Sequence, residues 1–422
     1  MLSRSFIDGI GITVATCCAV ALLYVVPRNF DFLNPLTQAI GDIDITDIVF
    51  TQFRSDSDPT SDTSIVIVNI GDRGRAEIAT MIRKLSAAGP AAIGIDAFFR
   101  EPKDEDPLSD AELQSALREA PNVVLVSKVA YKEEFDDDQE RPFDTLETSA
   151  PMFLENAHTG FANLIVDDEA AFMTVRNVSF QEECADTTEV SFPVRLAQLV
   201  YPKEAERALQ RNNATEPINF VGGLGSFFSL DADDVLRSDA DLSMCSGKIV
   251  LLGYLGPTIG SKSFEDNFFT PLNERYVGRS YPDMYGVVIH ANVLSMIRTG
   301  SFVNEMSREV LIAVMLFFIV LNVVVFTIIN ERAENWYDTL VIVIQLAESV
   351  GILYASVIAF GTFRYKFDPT FVLLGAFIVG PVHEIYHNSI LRIIAAARER
   401  IQKRAASLFA KERTDAPSKE TS

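Results

Sequence analysis

The chain is 422 residues long, 48% hydrophobic, and carries a formal net charge of −22. Its acidity is segregated: residues 27–309 hold 24 Lys/Arg and 47 Asp/Glu, whereas residues 392–422 hold 8 basic and 4 acidic side chains. A block that acidic is repelled by a polyanion and gains nothing from counterion release, so nucleic acid is excluded as a partner. The length allows two or three domains.

In chain order, a short cytoplasmic N-terminus (1–6) precedes an apolar run at 7–26, "IDGIGITVATCCAVALLYVV", flanked by Arg4 and Arg28. About 20 apolar residues cross a bilayer as a helix. A cleaved signal peptide is the competing reading. The length of the run, with no small-x-small site after it, favours a retained anchor. Cys17 and Cys18 within it read as small packing residues.

The acidic block, 27–309, follows. Ser64–Ile70 is a β-branched run, Ala76–Ala88 has helical spacing through Ile78, Ile82 and Leu85, and Ala91–Phe99 is apolar again. That order predicts strand–helix–strand with parallel strands. Strands are expected again at Asn122–Ser127, Ile218–Val221 and Lys248–Gly253, and a helix at Val287–Arg298. The fold class expected is an α/β domain with a central mixed or parallel sheet, plus four transmembrane helices.

Three further spans are expected at 310–330, 340–360 and 371–390, separated by loops too short to be domains. The remainder, 391–422, reads as a basic helix and a disordered tail. Its Arg392, Arg398, Arg400, Lys403, Arg404, Lys411 and Arg413 place it in the cytoplasm. Four spans then put both termini inside and the acidic block outside. Arg364 and Lys366, in the outer loop, run against this rule; the tail outweighs them.

"GIDAFF" (94–99), "GKIVLLG" (247–253), "DNFFTPL" (266–272) and "GVVIHANVLSMI" (286–297) stand in the order seen in type-2 CHASE domains, and the spans share that layout. Over about residues 30–390 the chain resembles this family of bacterial extracytoplasmic sensors. "GFANLIVDDEAAFMTVRNV" (160–178) is similar to the family's G…D-x-D-G…R stretch, with Glu169-Ala170 in place of Asp-Gly and Arg176 matching. The resemblance implies a sensor at the bacterial inner membrane, its large domain periplasmic or extracellular. Family members commonly carry a cytoplasmic cyclase or kinase. Here only about thirty residues follow the last span, so the signal is expected to pass to a separate signalling protein or through self-association.

Within the resembling motifs, Asp96, Asp266, Thr270, His290 and Asn292 are the candidate ligand-binding residues. Asp96 suits a pocket at the carboxyl ends of parallel strands. The plainer alternative makes the aspartates turn caps, with His290 and Asn292 satisfying backbone groups. No ligand, cofactor or resident metal is read from the sequence. "GDRG" (71–74) and "GPTIGSK" (256–262) lack the spacing of nucleotide loops and read as turns. The acidic clusters at 133–140 and 231–241 lack calcium-loop spacing, and Asp234 is expected to cap a helix. Cys184 and Cys245, both in the outer block, are permitted a disulfide there.

The fourth span contains His383-Glu384-Ile385-Tyr386-His387, the H-E-x-x-H pattern of zinc hydrolases, but no obvious third ligand or substrate cleft accompanies it. At 1.5 Å per residue, Asn322, Glu348, His383, Glu384 and His387 fall near one depth, and a single polar layer joining the last three spans is expected. The leading expectation is a non-enzymatic sensor or accessory subunit. An intramembrane zinc hydrolase and a ligand-free envelope scaffold are the alternatives.

Overall fold

The computed structural model describes residues 4–28, 60–132, 143–166, 174–273 and 281–391, with isolated helical positions at 393, 400 and 403. Glu169-Ala170, the 133–140 cluster and most of the basic tail lie outside the described residues. The chain forms two units. One comprises Met1–Asn34, Glu305–Ile358 and Phe367–Ser422; the other comprises Pro35–Asn304 and Ala359–Lys366.

The described elements run, in order, α1 (Arg4–Arg28), β1 (Asp62–Asn69), α2 (Arg75–Ala87), β2 (Ala92–Ile95), α3 (Pro107–Glu119), β3 (Val123–Ala130), β4 (Thr145–Glu147), β5 (His158–Phe161), β6 (Ile165–Val166), β7 (Val175–Val178), β8 (Gln181–Cys184) and β9 (Thr187–Val190). They continue with α4 (Phe192–Val200), α5 (Pro202–Gln210), β10 (Glu216–Pro217), β11 (Phe227–Leu230), α6 (Ala232–Leu236), β12 (Ile249–Gly253), β13 (Asn267–Phe268), β14 (Met284–Tyr285), α7 (Gly286–Thr299), α8 (Arg308–Arg332), α9 (Tyr337–Phe363) and α10 (Thr370–Ile385).

In the globular unit, six strands are parallel in the spatial order β11-β1-β12-β2-β3-β5, and β4 adds antiparallel to the second half of β3. The sheet is buried on both faces, which is why its strands read as continuous apolar runs rather than alternations. One face carries Val66, Val68, Ile93, Ile95, Val123, Leu125, Val250 and Leu252 into a core with Ile78, Ile82, Leu85, Leu113 and Val235 of α2, α3 and α6. Each large aliphatic side chain buried there contributes about 1.5–3 kcal/mol. Intervening residues face α4 and α7. Two glycines set that spacing. A Cβ on Gly94 would lie 2.7 Å from the Phe192 ring and 2.8 Å from Leu196, and one on Gly253 would lie 2.5 Å from Val287 Cβ.

Local chemistry fixes the helix starts. Glu77 accepts from the Gly74 N–H at 3.2 Å at the head of α2. Asp231, rather than Asp234, is the N-cap of α6; Asp234 sits one turn in and accepts from the Asp231 N–H at 3.1 Å. "GDRG" is a turn, with Gly71 at φ 50° beneath the Pro257 carbonyl. Ile218–Val221 is not a strand: beyond the Ile218 N–H, which donates to the Arg176 carbonyl, the Asn219 N–H turns to Met296 Sδ and the Val221 N–H to Asn292 Oδ1. The Cys184–Cys245 disulfide does not form. Both are buried free thiols, Cys184 packed with Val129 and Phe161, Cys245 in the core beside α2 and α6.

Among the described residues, four helices are long and apolar enough to cross a membrane, over Phe6–Leu23, Arg308–Arg332, Glu334–Phe363 and Thr370–Ser389. Ile12, Ile319, Val323, Phe326, Val372 and Val379 form the core of the helical unit. Pro381 interrupts α10, and lacking an N–H it leaves the Phe377 carbonyl one turn earlier without a helical donor. Gln345 of α9 supplies it: Nε2 donates to the Phe377 carbonyl at 2.9 Å and the Ala376 carbonyl at 3.0 Å. In hydrocarbon such a group must be satisfied from within the protein.

Candidate functional site

At the carboxyl ends of the central strands, the sheet delivers Asp96 just beyond β2. Its N–H continues the ladder, donating to the Leu252 carbonyl at 2.8 Å. Because side chains alternate, its carboxylate leaves on the face of Gly94, the face of α4 and α7. His290, in the second turn of α7, points Nε2 at Asp96 Oδ2 across 4.0 Å, too far for a hydrogen bond. Its ring stands edge-on to Phe192 with centroids 5.4 Å apart, and Nδ1 is buried with no hydrogen-bond partner. Residue His290 is only 3% exposed.

Asp266 completes the group. It precedes β13, which pairs antiparallel with β14, so its carbonyl accepts from the Gly286 N–H at 3.0 Å where α7 begins. A Cβ on Gly286 would lie 2.9 Å from Asp266 Oδ1; glycine there leaves room for the carboxylate over the first turn of α7. The Asp266 backbone has φ 51°, a left-handed conformation that aspartate tolerates better than most residues but at some cost. Asp266 is exposed as a residue, with its carboxylate lying against Gly286 and an open flank to solvent.

Neither carboxylate accepts a hydrogen bond from a described residue, and no described cation pairs with either. Burial raises the Asp96 carboxyl to about 7. Partial burial, then the charge of Asp96, then Glu265, raises Asp266 to about 8. Their charges interact, so the two carboxyls titrate as a pair, protonated below and ionised above about 7 to 8. Burial pushes His290 down to about 4, which leaves it neutral. The cluster is therefore anionic or protonated, with no internal counter-ion among the described residues.

The other two candidates are built into the scaffold. Asn292 Oδ1 accepts from Val221 N at 2.7 Å and Gly222 N at 3.1 Å, while Nδ2 donates to the Gly222 and Val288 carbonyls, each at 2.9 Å. Thr270 donates Oγ1–H to Asp283 Oδ2 at 2.5 Å and its N–H to Oδ1 at 2.9 Å. Asp283 also accepts from Asn273 at 3.1 Å and organises this loop. In the sequence only its place after Pro282 in a turn-rich stretch signals it. Burial raises the Asp283 carboxyl despite these hydrogen bonds.

At the far end of α7, Asp62 opens β1 and accepts from Ser295 Oγ at 2.6 Å and from Arg298 Nη2 and Nε at 2.8 and 3.2 Å. Burial opposes ionisation of Asp62, but the bonds from Ser295, Arg298 and the Ser64 N–H outweigh it and hold its carboxyl below the usual range. One helix thus carries the polar cluster at its start and a buried ion pair at its end, directly before the residues that lead into α8.

The single intramembrane layer resolves into two groups. Asn322 Nδ2 donates to Glu348 Oε2 at 2.8 Å. Separately, the Tyr337 hydroxyl and His383 Nδ1 share a hydrogen bond at 2.8 Å, and Nε2 lies 3.4 Å from Thr327 Oγ1, whose own proton goes to the Val323 carbonyl. The His387 ring is tilted by 46° to that of His383, with centroids 4.6 Å apart. Tyr337 lies eleven residues before Glu348, about 16 Å along the helix, so depth counted from nominal span ends placed His383 too deep. Glu384 points outward, exposed, because successive helical residues diverge by about 100°. Both nitrogens of His383 are occupied, which works against zinc ligation by this motif.

The profile of the CHASE2 domain matches residues 16–329. The chain belongs to the CHASE2 domain family. That match covers most of the chain, including the whole sheet and α7, and this is a family of sensory domains. No curated protein and no solved structure matches the chain. For a CHASE2 protein, four apolar helices are consistent with residence in a membrane.

Proposed function

We propose that this CHASE2 protein is a non-enzymatic membrane sensor or accessory signalling subunit that passes an external signal to a separate partner or through self-association. Its globular unit faces the periplasm or the exterior, and both termini are cytoplasmic. The observation that carries the reading is α7: its first turns hold the unneutralised cluster of Asp96, Asp266 and His290, and its last turn holds the Asp62–Arg298 pair just before the chain runs into α8. A helix moves as a rod, so an occupant that shifts its first turn shifts its last. The cationic 392–422 segment supports the orientation.

Two experiments test this. Alkaline phosphatase and fluorescent-protein fusions after residues 150 and 415 should give opposite readouts. A photo-crosslinking residue at Ile393, which is exposed, should trap a partner or a second copy in cells, with a yield that changes with external conditions. Matching fusion readouts refute the orientation; a yield indifferent to every external condition refutes the relay.

A further inference from the structure

We infer that the cluster of Asp96, Asp266 and His290 binds a cationic ligand, with an alkylammonium group as the best fit. This deepens the sensor reading above by naming the chemistry of its stimulus.

The inference starts from charge balance. The buried carboxylates of the globular unit among the described residues have partners: Asp62 has Arg298, Asp110 has Arg75 and Glu216 has Arg211, and the Asp283 carboxylate has Thr270 and Asn273. Asp96 and Asp266 lie close enough for their charges to interact and have no partner among the described residues. A cation arriving from solvent would supply what the fold leaves out, and would take the place of a proton.

His290 is the second, independent sign. A polar ring that is 97% buried normally makes its hydrogen bonds within the protein; the relative exposure of this one is 3%, its Nδ1 has no partner, and its Nε2 edge faces Asp96 from 4.0 Å. A 4.0 Å gap beside a carboxylate with solvent access leaves room for a donor to approach the carboxylate from the open side. Because the ring is neutral, it adds no competing positive charge.

Geometry separates the two sources of positive charge. No three His, Cys, Asp or Glu side chains among the described residues surround one point as metal ligands would. A divalent ion needs such a convergent set. A primary ammonium carries three donors on a flexible stem and can bridge two carboxylates that do not converge. Asn292, Thr270 and Asp283 fix the segments on either side of the cluster.

The test uses the full-length protein in lipid nanodiscs, with Cys17 and Cys18 replaced by Ala so that the buried Cys184 and Cys245 report opening of the globular unit by thiol labelling. Ethanolamine and 1,4-diaminobutane form one arm, calcium, magnesium and zinc chlorides a second, and sodium chloride at matched ionic strength the control. Saturable protection by the amines, slowing labelling about 100-fold at 100 times Kd, is expected. Protection should be lost in Asp96→Asn and Asp266→Asn and kept in Asp104→Asn, which alters an exposed site elsewhere. Asparagine tolerates the left-handed backbone at 266, and labelling rates without ligand show whether each variant is folded. Protection by divalent ions alone would assign the site to a metal and overturn the ammonium choice. No protection by either class up to about 10 mM, or protection that survives both substitutions, overturns the inference. Amine binding that leaves the Ile393 crosslink unchanged would keep this site and reject the relay. A crosslink that responds to other conditions without amine binding would do the reverse.

Discussion

Replacing Asp62 with Ala removes the acceptor of four hydrogen bonds at the start of β1, from Ser64 N, Ser295 Oγ, and Arg298 Nε and Nη2. Truncating one member of a fully buried ion pair costs about 3–5 kcal/mol, because the other charge is stranded. The Arg298 side chain is 28% exposed while that of Asp62 is 2% exposed, so water can take up part of the orphaned guanidinium charge and about 2–3 kcal/mol is expected. At tenfold per 1.4 kcal/mol, labelling of Cys184 and Cys245 through global opening should accelerate about 30- to 150-fold. For a unit of this size the midpoint should fall by about 4–12 °C. The direction of the Asp62 shift adds a pH signature. A carboxyl held low stabilises the fold at neutral pH and loses that contribution as the pH falls through its folded value, so Asp62→Ala should flatten the acid limb of the stability curve. Labelling within about threefold of wild type, with an unchanged acid limb, would show that this pair does not hold β1 to α7.

Gly253→Ala places a methyl 2.5 Å from Val287 Cβ and should cost about 1–3 kcal/mol in the same labelling assay. The raised carboxyls of Asp96 and Asp266 act with the opposite sign to Asp62: their contribution is complete below the usual carboxylate range and is lost as pH rises through about 7 to 8. Without ligand, Asp266→Asn should therefore stabilise the globular unit at pH 8.5 and not at pH 5, by about 1 kcal/mol once solvent screening on its open flank is allowed for; circular dichroism melts at the two values check this. In the helical unit, Asn322→Ala should cost about 1 kcal/mol, the usual worth of an interhelical polar contact in lipid, measured by steric trapping in bicelles. Gln345→Leu should cost more than Asn322→Ala in that assay, because it strands the carbonyl opposite Pro381.

Much of the architecture is legible in the sequence because hydrophobicity has to match a geometric requirement. A span needs about 20 apolar residues, and a strand covered on both faces needs an unbroken β-branched run, so α1, α8, α9, β1, β2 and β12 announce themselves. Phe227–Leu230 does not, since an edge strand with a serine and an exposed Phe228 carries half the apolar signal. Ile218–Val221 carries the signal without the structure, its N–H groups going to separate partners: the Arg176 carbonyl for Ile218, Met296 Sδ for Asn219 and Asn292 Oδ1 for Val221. The site was partly legible: the motifs point to Asp96, Asp266 and His290, but nothing local separates them from Thr270 and Asn292. That distinction is one of hydrogen-bond satisfaction, which depends on what the fold brings alongside. The membrane polar groups fail for a similar reason, because depth along a helix is readable from residue counts and the direction a side chain faces is not.

Parallel strands give a domain two unlike rims. At one, where β1 begins, Asp62 ties the polypeptide's arrival to its departure through Arg298; at the opposite one, the strands stop and Asp96 is left largely buried without a partner among the described residues. From the Asp96 end, α7 runs back across the sheet to Arg298 and Asp62. Reshaping the loops beside Asp96 would therefore leave the opposite rim and its ion pair untouched, so one end of this domain can vary while the other stays fixed.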